Sequence, residues 1–299
     1  MQTKTAFVAI LGRPNVGKSS LLNLLVGEKV AIVTAKPQTT RTRITGVRTF
    51  GAVQLVFTDT PGVHTPRTKL GGHMVRAARG SFTDADAVVF MTSPTGSVTP
   101  TERELLEALR GREIPVLLVL NKIDTLARKD EMMAKIGVLS EFFPFAEVVP
   151  VSVLRRDGTD LLLDLFMAYA VEGPHFYESD SYTDQTLQTM TAEIVREKLL
   201  IHLQEELPHG TAVGIDSMKQ RGDGAVWDIH CTVYCEKQSH KGMIVGKNGG
   251  MLKLVGTEAR RDIERLLDAK AALHLWVRVK DDWRNREGLI REFGFDATR

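Results

Sequence analysis

At 299 residues the chain has room for two domains, each with its own core, and its 43% apolar and 25% charged residues are ordinary for a soluble globular protein. No apolar run approaches the roughly 20 residues that span a bilayer, and the N-terminus lacks a signal-peptide pattern, so the expectation is a cytoplasmic protein. A net charge of +2 announces no polyanionic partner, which leaves that question to local patterns.

Residues 6–11 form an apolar run that reads as a buried strand, and 20–25 open a helix whose stripe is Leu21, Leu22, Leu24 and Leu25, with Gly27 placed to end it. Between them stands Gly12-Arg13-Pro14-Asn15-Val16-Gly17-Lys18-Ser19, followed by Ser20. This spacing at a strand-to-helix junction is a phosphate loop. Its glycines let consecutive N–H groups turn towards phosphate oxygens, and the helix N-terminus adds unpaired donors. Lys18 reaches the β- and γ-phosphates, and the Ser19 hydroxyl is an expected Mg2+ ligand. Residues 28–42 then lose periodicity around Lys36-Pro37-Gln38-Thr39-Thr40-Arg41. A polar loop of this length is a candidate for ordering by ligand, with Thr39 or Thr40 closing onto Mg2+ and the γ-phosphate.

Residues 54–57 read as a strand running into Asp59-Thr60-Pro61-Gly62. An Asp at that place holds Mg2+ through water, and the Gly62 N–H can face the γ-phosphate. Residues 63–72 read as a second mobile loop. Strands are expected over 85–91 and 115–120, with a helix over 101–109 between them. The second of these strands enters Asn121-Lys122-Ile123-Asp124. The Asp124 carboxylate can accept two hydrogen bonds from guanine that adenine cannot donate, a difference worth several orders of magnitude in a site built for it. Asn121 can brace the loop, and the stem of Lys122 can cover the base. A strand over 148–151 ends at Ser152-Val153-Leu154, and a helix over 158–168 closes the domain. The expected ligand edge is where all these strands end.

Residues 171–184 mix Gly, Pro, aromatics and acids and read as a linker, with the first domain over 1–171, the linker proper over 172–184 and a second domain over 185–299. In the second domain Leu187, Met190, Ile194 and Ile201 trace a helical face. A strand over 212–219, a Gly-Asp-Gly turn and a longer strand follow. Trp227, Ile229, Cys231, Val233 and Cys235 alternate there with Asp228, His230, Thr232, Tyr234 and Glu236. The two cysteines lie about 13 Å apart at strand rise, too far to bridge, and read as small core residues. Ile244-Val245-Gly246-Lys247-Asn248-Gly249-Gly250 then precedes a helix with Leu252, Val255, Ala259, Ile263 and Leu266 inward. Gly246-x-x-Gly249 fits the turn with which a KH domain clamps about four nucleotides of single-stranded nucleic acid, with Ile244 and Val245 as candidate groove residues. In the last strand Leu273, Leu275, Val277 and Val279 are expected inward and His274, Trp276, Arg278 and Lys280 outward; Trp283 and Arg284 either extend that surface or pack as a tail. Residues 172–236 carry 4 Lys/Arg against 12 Asp/Glu, and 237–299 carry 14 against 9, which is compatible with a localised polyanion-binding face.

The ordered motifs resemble those of translation-factor-class GTPases, and Gly-Arg-Pro-Asn-Val-Gly-Lys-Ser with Pro-Gln-Thr-Thr-Arg is similar to the Era-like family of bacterial GTPases. One departure is Val153, where alanine is usual. The resemblance implies an α/β phosphate-loop GTPase domain with a mainly parallel sheet, followed by an α+β type II KH domain. It also implies a monomer that binds GTP or GDP and the 3′ end of 16S ribosomal RNA and assists 30S subunit maturation. Peripheral association with the inner face of the cell membrane is a further implication, for which no amphipathic anchor is read here. Val63 stands where Ras-like enzymes carry a water-orienting Gln, so slow intrinsic hydrolysis is expected, and His64 reads as an exposed loop residue. Relatives with Asn at the place of Asn15 bind K+ beside the phosphates, so Lys18, Thr40, Gly62 and Asn15 are the expected catalytic contributors. Two other functions fit parts of the pattern: a nucleotide-sensing RNA scaffold with negligible turnover, and a phosphate-loop ATPase or kinase, against which Asp124 argues.

Overall fold

The computed structural model describes residues 2–62, 68–80, 82–222 and 224–295. By contact the chain divides into two units: Met1–Ala31, Thr40–Pro66 and Gly71–Asp184 form one, and Ile32–Thr39, Arg67–Leu70 and Gln185–Arg299 the other.

In the first unit, β1 (Lys4–Gly12), β3 (Val53–Asp59), β4 (Ala87–Thr92), β5 (Val116–Asn121) and β6 (Glu147–Val151) are parallel, and β2 (Ile44–Phe50) joins β3 antiparallel at one edge. The spatial order is β2-β3-β1-β4-β5-β6. Both faces of these strands are apolar because helices cover both. Val8, Ile10, Leu55, Phe57, Val89 and Val119 pack with α1 (Lys18–Val26) and α5 (Thr159–Ala168). Ala9, Leu11, Val88, Phe90, Leu118 and Leu120 pack with α2 (Lys69–Gly80), α3 (Pro100–Leu109) and α4 (Lys129–Phe142). The C-terminal ends of β1, β3, β5 and β6 therefore deliver Gly12, Asp59, Asn121 and Val151 to one edge, where open α/β sheets bind ligands. Helix α1 ends at Gly27 in the left-handed conformation.

The stretch over 172–184 is laced along this unit. β7 (Val171–Glu172) pairs antiparallel with β1, Gln54 bonds the backbone of Phe176 and Tyr177, and the Thr183 hydroxyl donates to the Thr45 carbonyl. The Val63 and His64 readings fall outside the described residues.

The second unit runs α6 (Leu187–His202), β8 (Ala212–Gln220), β9 (Val226–Cys235), α7 (Gln238–Val245), α8 (Gly250–Leu267) and β10 (Lys270–Val279), ending in α9 (Glu287–Glu292). Its sheet order is β10-β9-β8, with β9 parallel to β10 and antiparallel to β8. Ile194, Val195, Leu199, Ile229, Val255 and Ile263 form its core. One sequence expectation needs correction. Leu187 and Ile201 are exposed, because they lie in the first and last turns of α6 while the buried stripe occupies the middle. Of the two alternatives open for Trp283, the structure has the tail packing: the side chain is fully buried, its ring N–H donating to the Gly210 carbonyl. That tail also covers part of the sheet: Phe293 stacks on Tyr234 at 4.5 Å, so Tyr234 is buried near the end of β9, where the burial no longer alternates.

Candidate functional site

Lys18 folds back over its own loop, donating to the carbonyls of Gly12 (3.1 Å) and Arg13 (2.9 Å). Burial pushes its ammonium below the ordinary range, and Asp59 opposes that shift. Beside it three oxygens converge. Ser19 donates to an Asp59 oxygen at 2.5 Å, Thr40 donates to the same oxygen at 3.1 Å, and the two hydroxyls are 2.8 Å apart. Burial pushes the Asp59 carboxyl up, while Lys18, Ser19, Thr40 and the Thr60 backbone hold it down. Its second oxygen, Oδ1, is buried without a hydrogen-bond partner. Two hydroxyls and a partly unsatisfied carboxylate are a donor set for a hard divalent cation, so these residues fit Mg2+. Of the two threonines in the loop, Thr40 belongs to this set; the Thr39 hydroxyl donates instead to the Lys36 carbonyl.

The base side is built around Asn121. Its amide donates to the Val16 carbonyl (2.8 Å) and its oxygen accepts from Val153 N–H (3.0 Å), tying the phosphate loop to the last loop. The Lys122 ammonium reaches the Asn15 carbonyl at 2.8 Å. Asp124 is solvent-facing, and the Ser152 hydroxyl donating to it at 2.5 Å is the chief reason its carboxyl stays below the ordinary range, with desolvation opposing it. It is therefore charged and aligned to accept from a base. Leu154 is largely exposed beside it. Thr60 fixes the end of β3 by donating to the Ile10 carbonyl, and Gly62 lies so close to Pro14 that a Cβ would sit 2.8 Å from its nitrogen.

One functional group escaped the sequence reading. Glu102 on α3 is fully buried, with Arg13 Nε at 3.2 Å and Lys135 Nζ at 3.8 Å, and it accepts from the hydroxyl of Thr92. It also closes the cap of its own helix with Thr99. Through Arg13 this carboxylate holds the phosphate loop from outside the nucleotide motifs. The Thr99-x-x-Glu102 spacing before an apolar run was the available signal.

In the second unit, α7 ends at Gly246 (φ 72), where a Cβ would meet Met251 Cβ at 2.7 Å; Lys247 and Asn248 are exposed at the turn, and Gly249-Gly250 start α8. A groove of about 410 Å³ opens beside Gly249 between α8 and β10, with Leu252, Gly256, Leu273 and Leu275 in its walls and Lys253 and Arg260 along it. The sequence reading placed Ile244 there; that is corrected, because Ile244 is wholly buried in the core and Val245 packs against the same core. The burial of Cys231 pushes its thiol up to about 12, which suits a core residue. This unit also holds the segment 32–39: Val33 N–H donates to Glu197, Lys36 bonds the Leu203 carbonyl, and buried Arg196 donates to the Thr39 carbonyl at 2.5 Å.

A phosphate loop, a hydroxyl–carboxylate set that fits a cation and a charged carboxylate in an Asn-Lys-x-Asp turn on one unit, with a glycine turn beside a basic-edged groove on the other, fit a phosphate-loop GTPase joined to a KH domain. The family models agree: residues 7–122 match a 50S ribosome-binding GTPase domain and 206–284 a KH domain. The chain is 44% identical to GTPase Era of Ruminiclostridium cellulolyticum over 100% of both chains, and 46% identical to GTPase Era of Clostridioides difficile over 98% of this chain and 99% of the other. It superposes with a TM-score of 0.94, at 36% identity, on a structure of Era in complex with MgGDPNP and nucleotides 1506–1542 of 16S ribosomal RNA, covering 98% of this chain and 99% of that one. An Aquifex aeolicus Era variant bound to GDP and AlF4− gives the same score and identity, over 98% of this chain and 100% of that one. The chain belongs to the Era family of GTPases, and it hydrolyses GTP to GDP and phosphate.

Proposed function

We propose that this GTPase binds the single-stranded 3′ end of 16S ribosomal RNA in the groove beside Gly249 and assists maturation of the 30S subunit, with its nucleotide state gating the RNA. The observation that carries the reading is the groove itself, a cleft of mixed polarity walled by Leu252, Leu273 and Leu275 with Lys253 and Arg260 along it at a Gly-x-x-Gly turn, where backbone can approach phosphates and bases can enter. A full-length relative structure holding that RNA segment supports the same assignment.

Ser19, Thr40 and Asp59 would hold Mg2+, which would supply charge neutralisation at the β- and γ-phosphates. Lys18, released from the Gly12 and Arg13 carbonyls, binds the phosphates. The Gly62 N–H orients the γ-phosphate, and Asp124 selects guanine. Asn15, in the left-handed conformation at φ 63, is the residue that would hold K+, whose charge would assist turnover. Faster turnover in K+ than in Na+ buffer is expected; equal rates would remove K+ from the mechanism. Gating follows from the chain itself, since Thr39 is bonded within the second unit while Thr40, the next residue, is in the cation set of the first. RNA crosslinking with sequencing, on the full chain with a GTP analogue and with GDP, tests the reading. It expects crosslinks at the 16S 3′ end whose yield changes with nucleotide; crosslinks scattered over unrelated RNA would reject it.

A further inference from the structure

Three aromatic rings cluster on the second unit's sheet, none of them part of the tail and only His274 at the groove. His274 on β10 is in register with His230 on β9, and Trp276 is two residues further along β10. The His230 ring is near-parallel to both neighbours, at 4.7 Å and 20° from His274 and 5.4 Å and 11° from Trp276. Burying such rings is favourable, yet Trp276 is 46% exposed and His274 is exposed. Phe293 covers Tyr234 on the same face and leaves this cluster open.

Its position indicates an occupant. Strand β10 is the sheet edge, and His274 both stacks on His230 and lines the groove. The cluster is thus continuous with the groove across one strand. The carboxylates nearby are engaged: Asp228 is bidentate with Arg221 at 2.7 Å, and Asp216 accepts from Thr232. Exposed Lys270 and Arg278 share the alternation of His274 and Trp276 on β10 and supply positive charge. Near-parallel open rings beside cations are the surface on which successive bases of a single strand stack, whatever their sequence.

We propose that His230, His274 and Trp276 form a stacking platform for a base of single-stranded RNA that leaves the groove and crosses β10. The inference rests on the groove reading above. It extends the RNA footprint beyond the roughly four nucleotides that a KH groove clamps.

The test compares two unstructured RNAs on the full chain: one of about four nucleotides, and the same RNA extended by about six at either end. The wild-type chain is expected to bind an extended RNA more tightly than the short one. Trp276→Ala should remove roughly 5- to 150-fold of that affinity, the range of one stacked base, and leave the short RNA unchanged. Trp276→Phe should restore most of it. The extended RNA should also quench a part of the tryptophan emission that the Trp276→Phe chain lacks. Unchanged melting temperatures identify the variants as folded. Extended-RNA binding that is indifferent to Trp276, or a Trp276→Ala effect confined to self-association in sedimentation, would overturn the proposal. Failure of the groove reading is distinguishable: Lys247→Glu would then leave the short RNA unaffected, while the Trp276 dependence is read separately.

Discussion

Glu102 belongs to no nucleotide motif, yet its buried carboxylate faces two cations, one of them in the phosphate loop. Desolvation pushes its pKa up, but the bonds from Thr92 and Thr99 and the charge of Lys135 more than offset this, so the carboxyl lies below its ordinary value. The stability it confers is therefore complete above the ordinary carboxylate range and is lost as pH falls from there through the lower folded value. Glu102→Gln leaves Arg13 and Lys135 without their shared counter-charge, at a cost of about 3 kcal/mol. Thermal melts should show a clearly lowered midpoint at neutral pH and a shallower loss in acid than the wild-type chain; an unchanged midpoint would mean Arg13 is held by other groups. Asp124 is the opposite case, a residue whose proposed role was legible because guanine recognition would fix both its type and its spacing from Asn121. Asp124→Asn replaces an acceptor with a donor, so GTP binding should fall by orders of magnitude while xanthosine triphosphate gains, as competition binding would register. The capping role of Glu102 had a local signal, but its hold on Arg13 and Lys135 was illegible because the fold brings them to it from far away in sequence.

At the scale of elements, legibility followed how completely one pattern decides the outcome. The buried strands β1, β4 and β5 were readable because their burial is nearly uniform, and β9 because its apolar and polar residue types alternate, even where burial does not. Helix α4 was not: only Lys135 and Leu139 are buried in it, and Met133 and Val138 face solvent, so no apolar stripe marks it. Strand β2 was hidden by Gly46 at its centre, which sits there because a Cβ would strike Val26 and Leu22 of α1. The turn between α7 and α8 was readable by its glycines, but the groove wall on β10 was not, since only the sheet order brings Leu273 and Leu275 beside α8. Gly246→Ala tests this element. A side chain at φ 72 against Met251 must displace the start of α8, so RNA affinity should fall by roughly tenfold or more. GTP hydrolysis without RNA should stay as in the wild-type chain, and a parallel loss of both would mean the turn supports more than the groove.

For the whole molecule the question is how a phosphate at one unit is felt by RNA at the other. The net charge of +2 is too small for a long-range field to carry that message, and at physiological salt such fields fade within about 8 Å. A covalent route exists. The chain passes from the second unit to the first at the Thr39–Thr40 peptide bond, with the Thr39 carbonyl bonded to Arg196 and the Thr40 hydroxyl to Asp59. A γ-phosphate that fixes Thr40 thereby fixes the position of the carbonyl that Arg196 must reach. Arg196 is 1% exposed and is also held by Glu193, so it has little freedom to follow a displaced loop. Arg196→Gln removes that reach while Glu193, partly solvent-exposed, can rehydrate. Linkage makes the outcome strict: if GTP changes RNA affinity by some factor, RNA changes GTP affinity by the same factor, so both must shrink together in the variant. The expected result is an RNA affinity that no longer differs between GDP and a GTP analogue, a GTP affinity indifferent to RNA, and hydrolysis without RNA within a few-fold of wild type. If the nucleotide-dependent difference in RNA affinity survives at full size in a folded Arg196→Gln chain, the coupling runs through other residues and the Thr39–Arg196 bond is only a structural contact.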